Sequence, residues 1–347
     1  MRIFFIIKRN IIPLFLCLFI FLLLLFSKTT LVASRNGLLL WATCIVPSLF
    51  PFFIATELLN QTKIPYWVGK LFSKFMQPLF NVPGEGAYAF IMGVICGYPT
   101  GAKVVSNFYS NNICTKEQSE RLLAFTNNSG PLFIIATVGI SFFGNSEIGL
   151  LLLFTHLLSA LSVGIIFGFI SKYLENRHYK NHSNTRTYPK AKKFNTIGNL
   201  GELLGNSITS AISTLFMIGG FVILFSVIIS ILDSLNFFTF ISIPLSLLGI
   251  NTKYCIALSS GIIELTNGLS LATSIITKTI SCNIVLSAFL LGFGGLSVLL
   301  QVFTISSKVD LSIKWYFIGK ILQGSLAAIY TIIILNIFTF INFDLWF

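Results

Sequence analysis

Residues 120–133 read Glu120-Arg121-Leu122-Leu123-Ala124-Phe125-Thr126-Asn127-Asn128-Ser129-Gly130-Pro131-Leu132-Phe133. Upstream, Thr115 with Gln118 three residues on has the form of a capping box, so a helix starts at Lys116 and runs to Phe125. Pro131 suits the first position of a new helix, with Ser129 or Gly130 as its cap. Segment 117–143 is therefore one apolar span with a break in its middle. Non-helical backbone at membrane depth is tolerated only where protein buries it or it lines a wet cavity, because lipid satisfies neither N–H nor C=O. Free amides at the second half-helix favour an anion, and the side chains of Asn127 and Asn128 both donate and accept.

That the surroundings are lipid follows from composition. Of 347 residues, 55% are hydrophobic and only 10% charged, with a mean hydropathy of +0.87, too apolar for a soluble domain with a polar surface. A hydrocarbon core of about 30 Å needs roughly 20 apolar helical residues per crossing. Segments 11–33, 37–59, 148–171, 205–232 and 316–342 each meet that length. The start, Arg2, Lys8 and Arg9 before an apolar run from Ile11 to Phe26, has the form of a signal sequence; with so many later spans, an uncleaved first helix is the expectation. The chain reads as an all-α polytopic membrane protein.

Positive charge in short loops marks the cytoplasmic side. Nineteen of the 23 Lys and Arg fall in five groups: the N-terminal tail, 63–74 (Lys63, Lys70, Lys74), 103–121 (Lys103, Lys116, Arg121), 172–193, and 308–320 (Lys308, Lys314, Lys320). All five share one side only if two segments dip in and return, one around 86–110 and another around 254–276. Lys28, Arg35, Lys253 and Lys278 remain outside this scheme. The expected organisation is an N-terminal membrane helix (1–36), a first repeat (37–171), a basic cytoplasmic linker (172–199) and a second, inverted repeat (200–347). Spacing supports a duplication: Pro78-Leu79 precedes Tyr98 by 20 residues, as Pro244-Leu245 precedes Glu264. Tyr98 to Gly130 is 32 residues and Glu264 to Gly294 is 30.

Interrupted helices in corresponding places of two inverted halves point to a midplane binding site. Besides 127–131, the first half has Cys96-Gly97-Tyr98-Pro99-Thr100-Gly101-Ala102-Lys103, where Pro99 and two glycines stop a continuous helix. The competing reading of that stretch is an ordinary turn outside the membrane. The second half offers Glu264-Leu265-Thr266-Asn267-Gly268 and Gly292-Phe293-Gly294-Gly295-Leu296-Ser297, with Gln301 one turn on. An ionisable residue at the depth of Glu264 is a functional signal; the glycine cluster serves either a site or close helix packing. Candidate substrate-binding residues are thus Gly97, Tyr98, Pro99, Thr100, Gly101, Lys103, Asn127, Asn128, Ser129, Gly130, Glu264, Thr266, Asn267, Gly294, Gly295, Ser297 and Gln301.

Other signals are weaker. The net charge of +12 lies in loops between apolar runs and not on one polar face, which argues against nucleic acid. The six cysteines form no CxxC pair and stand near no histidine at ligand spacing, so no metal or disulfide framework is expected. Glu57 and Asp233 lie near helix ends within reach of the interface, and His156 reads as a packed or hydrogen-bonded histidine. No GxSxG, HExxH, phosphate-cradling loop or nucleotide fingerprint occurs, so neither an enzyme nor an ATP-driven pump is indicated.

The runs Gly97 to Lys103, Glu120 to Phe125 and Asn127 to Pro131, with Gly294-Gly295-Leu296-Ser297 and Gln301, closely resemble the YlbJ family of sporulation integral membrane proteins. That family belongs to the nucleoside-recognition "gate" group, related to concentrative nucleoside transporters and to spore maturation proteins A and B. The resemblance spans nearly the whole chain. It implies an inverted-repeat architecture with re-entrant hairpins, endospore formation, the mother-cell-derived outer forespore membrane, and movement of dipicolinic acid towards the spore. For such a planar dicarboxylate, Lys103 and the half-helix amides at 129–131 would neutralise charge, Asn127, Asn128 and Thr100 would orient it, and Tyr98 would stack on the ring. Glu264 then has three open roles: proton coupling, holding a cation such as Na⁺ or Ca²⁺, or pairing with Lys103 in the empty state. The partners expected are the bilayer and the small anion; self-association is open, as is a nucleoside cargo or a non-transporting role in spore-envelope assembly. No cofactor is expected.

Overall fold

The computed structural model describes residues 2–179, 200–247, 249, 251–276 and 281–340. Among these residues all regular structure is helical. Ser146–Leu174, Gly201–Ser234, Ser281–Val309 and Lys314–Ile337 are each long and apolar enough to cross a membrane. Their outer faces carry large apolar side chains open to the surroundings, among them Phe154, Phe169, Phe216 and Ile333, the arrangement lipid demands and water penalises. The expectations for 148–171 and 205–232 hold, and that for 316–342 holds as far as Phe340.

The N-terminal region departs from the expected pair of straight spans. Helix α1 (Arg2–Leu25) and α2 (Ser27–Leu40) meet at Phe26, where the chain turns by 97°, so 11–33 is not one rod. The bend falls where the apolar run gives way to Ser27-Lys28-Thr29-Thr30, whose Thr30 hydroxyl donates to the Ser27 carbonyl at 3.0 Å. Segment 37–59 is divided too: α2 passes through a π-helical turn at Trp41–Ile45 into α3 (Val46–Asn60). Pro47 and Pro51 remove the N–H groups a regular helix needs there. Both helices pack on α9 (Leu200–Ser234), where the Trp41 indole donates to the Leu215 carbonyl at 2.8 Å.

After α4 (Ile64–Phe75) comes the first hairpin, α5 (Gly86–Cys96) and α6 (Thr100–Ser110). Then α7 (Lys116–Thr126) starts on a complete Thr115–Gln118 capping box. A gap at 127–130 separates it from a second half-helix whose body, Phe133–Phe142, is π-helical. Helix α8 (Ser146–Tyr179) is 34 residues long, about 51 Å at 1.5 Å per residue. It continues past Ser171, so the linker's first eight residues are helical; residues 180–199 of that linker lie outside the described residues, as does Lys278.

The second half follows the same order. Helix α10 (Phe237–Ser246) leads to a hairpin of α11 (Thr252–Ile263) and α12 (Leu265–Ser274). A broken helix, α13 (Ser281–Phe293) and α14 (Gly295–Ser306), comes next, then the long α15 (Lys314–Phe340). Helix α15 packs against α13, α8 and α7, placing it between the two main apolar clusters, around Leu122, Phe125 and Phe167 on one side and Ile134, Leu269 and Ile284 on the other. Outside the apolar body, Lys116 on α7 donates to Asp310 ahead of α15 at 2.8 Å, a bond that holds the Asp310 carboxyl below its usual range.

Candidate functional site

Four helix breaks were expected, and four are present: at 97–99, 127–130, Glu264 and Gly294. They meet. A methyl group on Gly97 would lie 3.0 Å from the Gly130 nitrogen, and one on Gly294 3.0 Å from the Tyr98 hydroxyl. On Gly295 it would lie 3.6 Å from the Glu264 Cα. The Tyr98 hydroxyl, from the first hairpin, donates to the Leu291 carbonyl of α13 at 3.2 Å, so one side chain ties the breaks of the two halves together.

The glycines permit this convergence in two ways. Gly294 stands at φ +84°, in the left-handed region that side chains avoid, and so ends α13. Gly292 instead lets α13 and α15 touch, because a Cβ there would meet the Gly324 Cα at 2.7 Å. The close-packing reading of the cluster therefore holds at Gly292, while Gly294 serves to end the helix.

At 127–130 the polar atoms are matched in detail. Asn127 Oδ1 accepts from the Ala102 N–H at 3.4 Å, and its Nδ2 donates to the Tyr316 hydroxyl at 3.1 Å. Asn128 Nδ2 donates to the Phe125 carbonyl at 2.8 Å, satisfying an end of α7. Asn128 Oδ1 accepts from Gln323 Nε2 at 3.0 Å. The Ser129 N–H donates to His156 Nε2 at 3.3 Å, so His156 is a hydrogen-bonded histidine, and one that serves the break itself.

The centre of this network is a residue that sequence reasoning placed elsewhere. Lys320 was grouped with loop charges, yet it is 1% exposed on α15. Its ammonium donates to the Asn127 carbonyl and to Gln323 Oε1, and sits 5.4 Å from the Tyr98 ring centre and 5.7 Å from that of Tyr316. The missed signal was positional: Lys320 falls inside span 316–342, and Tyr316, Lys320 and Gln323 follow the spacing of one helix face.

Lys103 is not part of this cluster. It pairs with Glu57 at 3.0 Å and donates to Ser210 and Thr214 of α9 at 2.8 and 3.2 Å, so of the three roles open to Glu264, pairing with Lys103 is not the one seen. Glu264 caps its own half-helix, each carboxylate oxygen accepting one backbone N–H, from Thr266 at 3.0 Å and Asn267 at 2.9 Å. Pro99 stands ahead of α6, and Thr100 and Gly101 are buried at its start. Ser297 and Gln301 are buried on α14, which packs against α6 and α11.

The Gate family, described by the words "nucleoside recognition", matches residues 42–175, which contain the first hairpin and the 127–130 break. The chain is also 37% identical over 317 residues to the sporulation integral membrane protein YlbJ of Bacillus subtilis strain 168, an alignment covering 87% of this chain and 76% of that protein. This chain belongs to the YlbJ family. No solved structure matches it. As a YlbJ-family member it is an integral membrane protein, and the match extends over both halves that build the site.

Proposed function

We propose that this protein carries a small anionic solute across a membrane during endospore formation, and that the solute is dipicolinate. One observation carries the transport reading: interruptions from both halves of the chain converge on one buried polar cluster inside an apolar helical body. Broken helices expose backbone polar groups, and in a bilayer such groups are kept where they handle a polar passenger. The repeated element order, hairpin, broken helix, long helix, supports two gate-type repeats at 37–171 and 200–347, inserted in opposite senses as in concentrative nucleoside transporters. The sporulation role and the outer forespore membrane rest on kinship with YlbJ.

Purified protein in sealed vesicles tests this directly, with labelled dipicolinate and labelled uridine supplied in parallel. Dipicolinate accumulation above empty vesicles is the expected result. Uridine accumulation alone would favour the second reading, a nucleoside cargo, which the Gate match to residues 42–175 supports. Accumulation of neither would remove the transport reading and favour a non-transporting membrane factor. Proton or cation coupling through Glu264 is tested by Glu264→Gln: uptake with unchanged pH dependence would exclude a proton route through that carboxylate.

A further inference from the structure

We infer that Lys320 is the residue that recognises the charge of the transported anion, and that its ligand is a carboxylate on a small ring-bearing acid. The inference rests on the transport reading and deepens it.

Lys320 is the seventh residue of the crossing helix α15, within its apolar span and fully buried. Taking an ammonium out of water costs several kcal/mol, and proteins offset this with an opposite charge or with function. Among the described residues no carboxylate pairs with Lys320. Of the carboxylates near the breaks, Glu57 is engaged by Lys103 and Glu264 by the α12 amides.

What surrounds Lys320 is neutral: the Asn127 carbonyl, the Gln323 amide, and the faces of Tyr98 and Tyr316. Two of the three N–H groups of an ammonium are thereby used. If its task were only to close the 127–130 break, a neutral amide would do, as Asn128 does for the Phe125 carbonyl. The positive charge is surplus to that task, and an arriving carboxylate is the group that matches it. Within the same junction the buried Thr100 hydroxyl and His156 Nδ1 have no hydrogen-bond partner among the described residues, so the break holds further polar atoms open to a ligand. The Tyr98 ring, only partly buried, adds a flat surface suited to an aromatic acid.

The test compares pyridine-2,6-dicarboxylate with its uncharged, similarly shaped diamide by calorimetry on purified protein. Wild-type protein is expected to prefer the diacid by roughly 100-fold, the scale for a buried charge partner. Lys320→Met should abolish that preference, weakening diacid binding far more than diamide binding, and Lys320→Arg should retain it. Equal wild-type binding of diacid and diamide would overturn the inference without any variant, and so would a Lys320→Met protein that kept the preference. Either result leaves transport standing; wild-type protein that bound neither compound would overturn the dipicolinate cargo and this inference with it.

Discussion

Gly101→Ala separates a spatial requirement from a backbone one. Gly101 lies in the first turn of α6 without a left-handed φ, so alanine suits its backbone. The added Cβ, however, would fall 2.3 Å from the Thr126 oxygen, 2.7 Å from its carbonyl carbon and 2.9 Å from the Asn127 Cα. These are backbone atoms at the rim of the break, and restoring ordinary contact means moving hairpin and break apart by about 1 Å. The other arm of the hairpin blocks retreat, because a methyl on Gly93 would meet the same Thr126 oxygen at 1.7 Å. Overpacking of this kind costs about 1–3 kcal/mol, and the displacement would open the 3.4 Å bond from the Ala102 N–H to Asn127. Gly220→Ala on α9 is the internal control, since its Cβ would meet nothing within 4 Å. Both substitutions gain up to about 1 kcal/mol of helix propensity, so that gain largely cancels between them and the difference isolates the clash. Thermal unfolding of both variants in one detergent, with initial dipicolinate uptake, should find Gly101→Ala less stable by about 1–3 kcal/mol and slower, and Gly220→Ala at or above wild type. Equal stability and uptake of the two would refute the close packing of hairpin against break.

Further outcomes follow from individual contacts. Removing the carboxylate that caps α12, by Glu264→Ala, should destabilise the second hairpin by about 0.5–2 kcal/mol, read as faster amide exchange at Thr266 and Asn267; unchanged exchange there would dismiss the cap. In the half-buried Lys103–Glu57 pair, the costs of Lys103→Met and Glu57→Gln should sum to more than the cost of the double variant, and strict additivity in a double-mutant cycle would show the pair to be uncoupled. Single cysteines at Asn112 and Ile276, placed in a background cleared of native cysteines, should react with an impermeant thiol reagent from opposite sides of the membrane; labelling from one side would end the inverted arrangement of the two halves.

Much of this was legible in the residues because the signals were local. Pro99, Pro131, the Thr115–Gln118 box and Gly294 act within a turn of themselves, and each marks a helix end in the structure. The hairpins at 86–110 and 254–276 were expected from the placement of loop charge instead, and the helix pairs α5–α6 and α11–α12 stand there. Legibility failed where the controlling contact was distant or where an apolar run hid a short polar interruption. Lys103 looked like part of the site because it sits two residues beyond the break motif's last glycine, yet its partners, Glu57, Ser210 and Thr214, come from α3 and α9. The 97° turn at Phe26 was concealed by the length of the apolar stretch around it.

The same distinction bears on how charge was used to orient the chain. Counting Lys and Arg by loop treats every cation as solvent-exposed, but the structure removes several from that class. Arg121 is buried on α7, its guanidinium donating to the Ser171 hydroxyl and to the Asn81 carbonyl at 2.8 Å; Lys103 is half-buried in its ion pair; Lys320 is inside α15. A cation held by the protein interior reports on a site or a tertiary joint and not on the side of the membrane, since the positive-inside rule acts through loops. With these set aside, Lys116 remains in the 103–121 group and Lys308 and Lys314 in the 308–320 group, and the Lys116–Asp310 bond brings those two loops together. That contact places both loops at the same end of the molecule without any appeal to charge counting. The expectation that 103–121 and 308–320 share a side thus survives on packing after part of its original support has been reassigned to the site.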